Sequence, residues 1–317
     1  MNVGLVADGD AIEAWLTAAQ LSGSVNIVAV ASGHALARPH IARRFGFPVV
    51  ESVTDLAAIP NLDGVVIAGP LESRASDALA AEAAKMPIGI AAPLAGNPDD
   101  AVEVLKAAPA AIALHTAPWM SGYRIASEAL AAGRVGKPGF MRVTYWSSNQ
   151  EAGGALPGVP IFADLVDHIA AATKLMGDAP VQVYATGQTV RQDVDYIAST
   201  ITFANGQTAI LDLGRAPSGD GPYLAVMVLG RRGAFHFDSN STAGAMFQTN
   251  GVRHVHGVDL AGARAAALRA FAADTTEKVL GISTVDSDIA LRTAVAVLAS
   301  ARSRMAVDVR LVRRTAA

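Results

Sequence analysis

Cysteine is absent from all 317 residues. That excludes disulfides, thiolate nucleophiles and cysteine-ligated metals together. Long apolar runs are absent as well: no stretch approaches about 18 consecutive apolar residues, so the sequence predicts no transmembrane helix. Neither sign of charge dominates. Twenty-five Lys and Arg stand against 28 Asp and Glu, for a formal net charge of −3, which leaves no electrostatic footprint for nucleic acid. The opening residues lack the basic and then apolar pattern of a secretory signal, since Asp8 and Asp10 come too early for one. With 51% hydrophobic and 17% charged residues, the chain has ample material for folded cores. These absences predict a cytoplasmic two-domain protein without a membrane or nucleic-acid partner.

What is present follows a regular grammar as far as Pro118. Short, nearly continuous apolar runs at 3–6, 26–32 (NIVAVAS), 63–70 (DGVVIAGP), 86–93 (MPIGIAAP) and 110–118 (AAIALHTAP) read as parallel strands buried on both faces. Helical patterns at 11–21, 35–45, 72–85 and 98–107 separate them, which predicts βαβ units in a doubly wound, Rossmann-like α/β sheet. Ligands of such a sheet bind outside the carboxyl ends of its strands. Residues 7–9, 32–34, 69–71 and 91–93 should therefore line one crevice.

After Pro118 the pattern changes. A helix over 122–132 leads to an alternating strand, FMRVTYWSSN. A Gly/Pro-rich loop (EAGGALPGVP) and a helix over 161–176 follow. Then come strands with short turns, among them ITFANGQTAILDLG, whose ANGQ turn signals a hairpin. This predicts a C-terminal α+β domain with a large, mainly antiparallel open sheet. The division falls at 1–118 and 119–317, with a last helix (285–304) able to pack back on the first domain.

Several residues could carry chemistry. VADGDAIEAW sits where a strand turns into a helix, the place of a dinucleotide fingerprint G-x-G-x-x-G. Ala7, Gly9 and Ile12 occupy the three glycine positions, with Ala11 before the last. Two readings are open: a weakened pyrophosphate site, or an ordinary helix capped by Asp10. Asp8, Asp10 and Glu13 would repel a phosphate there. Asp164 and His168, spaced i and i+4, share a helix face. Again two readings are open: the carboxylate orients the imidazole and raises its pKa, as a general base requires, or the two form an ordinary ion pair near a helix start. Asp167, off that line, reads as solvated or capping. His254 and His256 alternate on one strand face without a third ligand, and so read as solvated; no metal site is expected. His115 ends a strand near the crevice, and Trp119 could floor a sugar site.

The order of these segments resembles the Gfo/Idh/MocA family of oxidoreductases. The likeness rests on GRVGKPGFMRV, ITFANGQTAILDLG, VLGRRGAFHFD and above all FADLVDHIA, which matches the family's D-x-x-x-H helix. It implies NAD or NADP as cofactor, a sugar, inositol or related small molecule as substrate, and catalysis by His168 with Asp164. It also implies a homodimer or homotetramer built through the C-terminal sheet. By the same likeness Ala7, Gly9, Ala11, Ile12, Ser32, Gly69, Pro70 and Pro93 would contact the dinucleotide, and His115 and Trp119 the substrate. Three departures stand out. The family's Glu-Lys-Pro is Ala91-Ala92-Pro93, its ribose-binding acid after the second strand is Ser32, and its phosphate glycines are reduced to Gly9. A missing acid favours NADP over NAD, with Arg38 one turn on as a cation. A missing lysine leaves three functions open: an atypical oxidoreductase, a non-catalytic ligand sensor or partner subunit, or a lyase or hydrolase in the same cleft.

Overall fold

A computed structural model describes residues 1–148, 161–189, 194–216, 222–240, 244–248, 251–255, 260–273 and 282–309. The chain divides into two compact units.

The first unit opens with β1 (Asn2–Val6), α1 (Asp10–Ser22), β2 (Asn26–Ala31), α2 (Arg38–Phe45), β3 (Val49–Val50) and α3 (Val53–Ala57). It continues with β4 (Gly64–Ile67), α4 (Arg74–Ala83), β5 (Ile88–Ala91), α5 (Pro98–Ala107) and β6 (Ile112–Leu114). Among the described residues the six strands pair in parallel in the order β3-β2-β1-β4-β5-β6. Every residue of β4 and β5 is buried, as helices on both faces of a parallel sheet demand. β3 and α3 are too short for periodicity to mark in the sequence. α3 nonetheless carries a full capping box between Ser52 and Asp55. Gly4 in β1 makes room for this helix, because a β-carbon there would lie 2.5 Å from Leu56 Cδ2.

The second unit holds α6 (Ser121–Ala131), β7 (Pro138–Ser148), α7 (Ile161–Met176), β8 (Pro180–Thr189), β9 (Val194–Phe203), β10 (Thr208–Ala216) and β11 (Tyr223–Gly230). β12 (Gly233–Asp238), β13 (Gly244–Gln248) and β14 (Gly251–Val255) follow. After them come α8 (Leu260–Ala272), α9 (Thr284–Ser303) and β15 (Val307–Asp308). The described strands form one sheet, β14-β13-β12-β11-β7-β10-β9-β8-β15. It is antiparallel except where β10 runs parallel to β7. The hairpin at Ala204–Gln207 forms as expected, with Gly206 at φ +81°. α8 was not anticipated as a helix, and it belongs with the first unit, as do the first residues of α9. Its Ala267, Leu268 and Phe271 join the core formed by Trp15, Ala18 and Leu114.

Candidate active site

The carboxyl ends of the parallel strands bring the turn residues of the first unit together. Val6 lies opposite Ala31, and the Ala7 N–H donates to the Ala31 carbonyl at 3.2 Å. Asp8 therefore emerges beside Ser32, whose hydroxyl donates to Asp8 Oδ1 at 2.5 Å. Asp8 Oδ2 stands 4.0 Å from His34 Nε2. Glu13 is paired with Arg44. Two of the three acids expected to oppose a phosphate thus have partners of their own; Asp10 and Glu13 are both exposed in the first turn of α1.

The cap of α1 is Gly9 rather than Asp10. Its φ is +56°, and no side chain caps the first turn, as in α2, α4 and α6 and unlike α3 and α5, which Ser52 and Asn97 cap. A β-carbon at Gly9 would meet nothing within 4 Å. Uncapped N–H groups, the helix dipole and open space at the turn fit a phosphate group. Ala7 and Ile12 fill the other glycine positions from inside: both are buried, and Ile12 packs in the core cluster that includes Leu5 and Trp15. Ala11 beside them is half-buried.

Ala92 stands where the family has lysine, and its bond to Pro93 is cis. A different cation holds this corner. Arg74, the first residue of α4, is buried, and its Nε donates to the Gly69 carbonyl at 2.9 Å. Its Nη1 donates to the carbonyls of Ala91 and Pro93, at 2.6 and 2.5 Å. Burial lowers its pKa to about 10, against the pull of Glu72 and Asp77. One guanidinium thereby joins Gly69 and Pro93, two of the expected cofactor residues, with Pro70 exposed next to them. A cation in the first turn of a helix opposes the dipole, and that mismatch was the available signal for Arg74. Arg38, offered by the sequence as a partner for a 2′-phosphate, is engaged with Glu51 at 3.2 Å. The Asp8 carboxylate stands beside Ser32, at the end of β2.

In the second unit, α7 is apolar on nearly every side and buried along its length. This carries His168 and Asp167 inside, to 1% and 9% exposure. Asp167 is therefore not the solvated or capping residue the sequence suggested. The partner of the imidazole also differs from expectation. His168 Nδ1 and the Tyr123 hydroxyl, from α6, share a hydrogen bond of 2.7 Å. Tyr145, from β7, packs its ring 4.2 Å from the imidazole, centroid to centroid. Asp164 Oδ2 instead accepts the Ser147 hydroxyl at 3.0 Å.

The match between strand and helix explains this arrangement. Two residues along β7 rise about 6.6 Å and four along α7 about 6 Å, so Tyr145 and Ser147, on one face of the strand, meet His168 and Asp164. Nor is the imidazole pKa raised. Burial lowers it from 6.5 to about 4, with the Asp167 charge only partly compensating, so at neutral pH the ring is uncharged. When the phenol donates to Nδ1 the ring proton is on Nε2; when Nδ1 donates, Nε2 carries a lone pair. Tyr123 itself is fully buried, which pushes its pKa well above 10.

His115 lies in the first unit, buried, with Nε2 and the Ser287 hydroxyl 2.9 Å apart. Trp119 packs against the α1–α8 core. His254 falls within β14, while His256 and the loop at 151–160 lie outside the described residues. Among the described residues no group of three or more His, Asp or Glu could hold a metal ion, and no helix is long and apolar enough to cross a membrane.

Six parallel strands in this order, an uncapped first helix and a second unit with a mixed open sheet define the two-domain, dinucleotide-type class of oxidoreductase. Residues 2–117 match the family model described as an oxidoreductase family with an NAD-binding Rossmann fold, and residues 123–236 match the Gfo/Idh/MocA C-terminal domain. The chain belongs to the Gfo/Idh/MocA family. Among solved structures, levoglucosan dehydrogenase in complex with NADH is 20% identical, with a TM-score of 0.84 over 98% of this chain and 100% of that one. An oxidoreductase from Agrobacterium radiobacter, in complex with NAD+, L-tartaric acid and magnesium, is 17% identical, with a TM-score of 0.85 over 98% of each chain. An NAD-binding oxidoreductase from Klebsiella pneumoniae is 18% identical, with a TM-score of 0.79 over 98% of this chain and 99% of that one. At these identities the likeness is one of fold.

Proposed function

We propose that the chain is a cytoplasmic NAD(P)-dependent oxidoreductase acting on a sugar, polyol or related small hydroxy or carbonyl compound, with His168 exchanging the proton at the substrate oxygen. The observation that carries this reading is the buried, uncharged imidazole fixed at Nδ1 by Tyr123. Bound nicotinamide supplies or accepts the hydride. The residues proposed to hold the dinucleotide are Ala7, Gly9, Ala11 and Ile12 at the turn, with Ser32, Gly69, Pro70 and Pro93 at the neighbouring strand ends. Tyr123 fixes the plane of the His168 ring, leaving Nε2 for the substrate, and Tyr145 keeps water from one side of it. Asp164 is a positioning residue in this scheme: through Ser147 it ties α7 to β7.

The family places a lysine at position 92, and a charge there would stabilise a developing alkoxide. Without it, the substrate should be one whose oxygen ionises more readily than a plain hydroxyl. The absent lysine also favours a second reading, a ligand sensor or partner subunit that keeps the fold. The outer face of the large sheet supports homo-oligomerisation under either reading. Trp146, Tyr184 and Tyr196 are exposed there, and the Trp146 ring packs tilted against Tyr223, centroids 4.9 Å apart.

Calorimetric titration with NAD⁺, NADP⁺ and their reduced forms separates the two. Micromolar binding of one dinucleotide, followed by turnover in a substrate screen that His168→Ala abolishes, is the expected result. Absence of binding at millimolar concentration by the folded protein would overturn the enzyme reading in favour of the sensor.

A further inference from the structure

We infer that Asp8, from the first turn, takes the place of the acid missing after β2 and selects NAD over NADP. This rests on the dinucleotide reading above. Because β1 and β2 are neighbours in register, residues 8 and 32 leave the sheet side by side. A side chain from the first turn can therefore reach the ground that the residue after β2 ordinarily controls. The Asp8 carboxylate occupies that ground: Oδ1 accepts the Ser32 hydroxyl at 2.5 Å, and Oδ2 faces His34 at 4.0 Å. Asp8 keeps 19% of its side chain exposed, so a ligand can still reach it.

Two carboxylate oxygens offer about four lone-pair positions, and Ser32 takes one. The rest can accept from the two hydroxyls of an adenosine ribose, each of which has one O–H to donate, where the carboxylate only accepts. A 2′-phosphate in the same place would set a dianion against that carboxylate. The cations nearby already have partners: Arg38 Nη1 donates to the Ser32 carbonyl at 3.5 Å and pairs with Glu51 at 3.2 Å, and His34 Nε2 faces Asp8 itself at 4.0 Å. The Asp8 charge is felt across the sheet end as well, where it adds to burial in raising the Asp77 carboxyl pKa.

The arrangement also removes an obstacle to the pyrophosphate. A carboxylate engaged with Ser32 and His34 is drawn toward β2 and away from the N-terminus of α1. One residue thus does two things, clearing the phosphate position and reading the ribose.

The test is direct binding, by NADH and NADPH fluorescence titration of the full-length protein and its Asp8→Asn, Asp8→Glu and Ser32→Ala variants, with folding checked by circular dichroism. The wild type should bind NADH at least about tenfold more tightly than NADPH, and Asp8→Asn should lower NADH affinity about tenfold, since an amide has one acceptor oxygen where the carboxylate has two and Ser32 already takes a lone pair. NADPH binding should hold or improve in Asp8→Asn, bringing the two nucleotides to within about threefold. Asp8→Glu should retain most of the preference for NADH. Ser32→Ala should cost less than Asp8→Asn. Tight NADPH binding by the wild type, or an NADH:NADPH ratio unmoved in Asp8→Asn, would overturn the assignment while leaving the dinucleotide reading in place. Failure of the folded wild type to bind either nucleotide would overturn both.

Discussion

Replacing His168 by glutamine should remove a specific part of the protein's acid sensitivity. The imidazole pKa is lowered from 6.5 to about 4, chiefly by burial. In the unfolded chain the ring takes a proton as pH falls through 6.5, while in the folded protein it stays neutral until pH nears 4. Between those values the unfolded state binds the extra proton, so stability is full above 6.5 and is lost as pH falls to 4. A separation of this size is worth about 3 kcal/mol at 1.36 kcal/mol per pH unit. Glutamine can still hydrogen-bond Tyr123 but does not titrate. Urea unfolding of wild type and His168→Gln, measured from pH 7.5 to 4, isolates the effect, because carboxylates common to both proteins cancel in the difference. Fluorescence from Trp146, with Trp15 and Trp119 changed to Phe, reads the second unit, where His168 lies. The stability difference should shrink by about 3 kcal/mol over this range. Parallel loss of stability by the two proteins would show that the ring titrates normally in the fold, and the argument from burial would be wrong.

Arg74→Met should destabilise the first unit by about 3 kcal/mol, since three charge-assisted bonds at about 2 kcal/mol each outweigh the relieved cost of burying a cation. Differential scanning calorimetry should show a Tm lower by about 6–12 °C, and an unchanged Tm would mean that the three carbonyls find other donors at no cost. Trp146→Lys and Tyr196→Lys should turn an oligomer into monomers in analytical ultracentrifugation without loss of secondary structure. A wild type that sediments as a monomer would instead show that this aromatic face has no partner copy.

The architecture was legible because βαβ alternation writes itself in apolar runs, and β2, β4, β5 and α7 fall where those runs predict. α8 was not, because alanine serves buried and exposed positions alike and LAGARAAALRAFA shows no clear stripe. The site was legible only where its parts are local in sequence. His168 could be found on its helix, but its partner Tyr123 lies 45 residues earlier on another helix. The i, i+4 carboxylate was the nearest candidate and proved to serve Ser147. The direction of the pKa shift was misjudged for a related reason: spacing shows a charge nearby but not that α7 is enclosed. The contact between Asp8 and Ser32, by contrast, follows from strand pairing once the order β2-β1 is known.

β7 has two duties that its alternation keeps one residue apart. Tyr145 and Ser147 face α7, and Trp146 between them faces outward. The strand is a thin partition, with proton chemistry proposed on one side and contact with other molecules on the other. A partner pressing on Trp146 leans on the same peptide units that seat the imidazole, so a backbone shift provoked from outside is felt within. Substitutions that change how copies meet should therefore be assayed for the titration of His168, and those aimed at His168 and its neighbours for assembly.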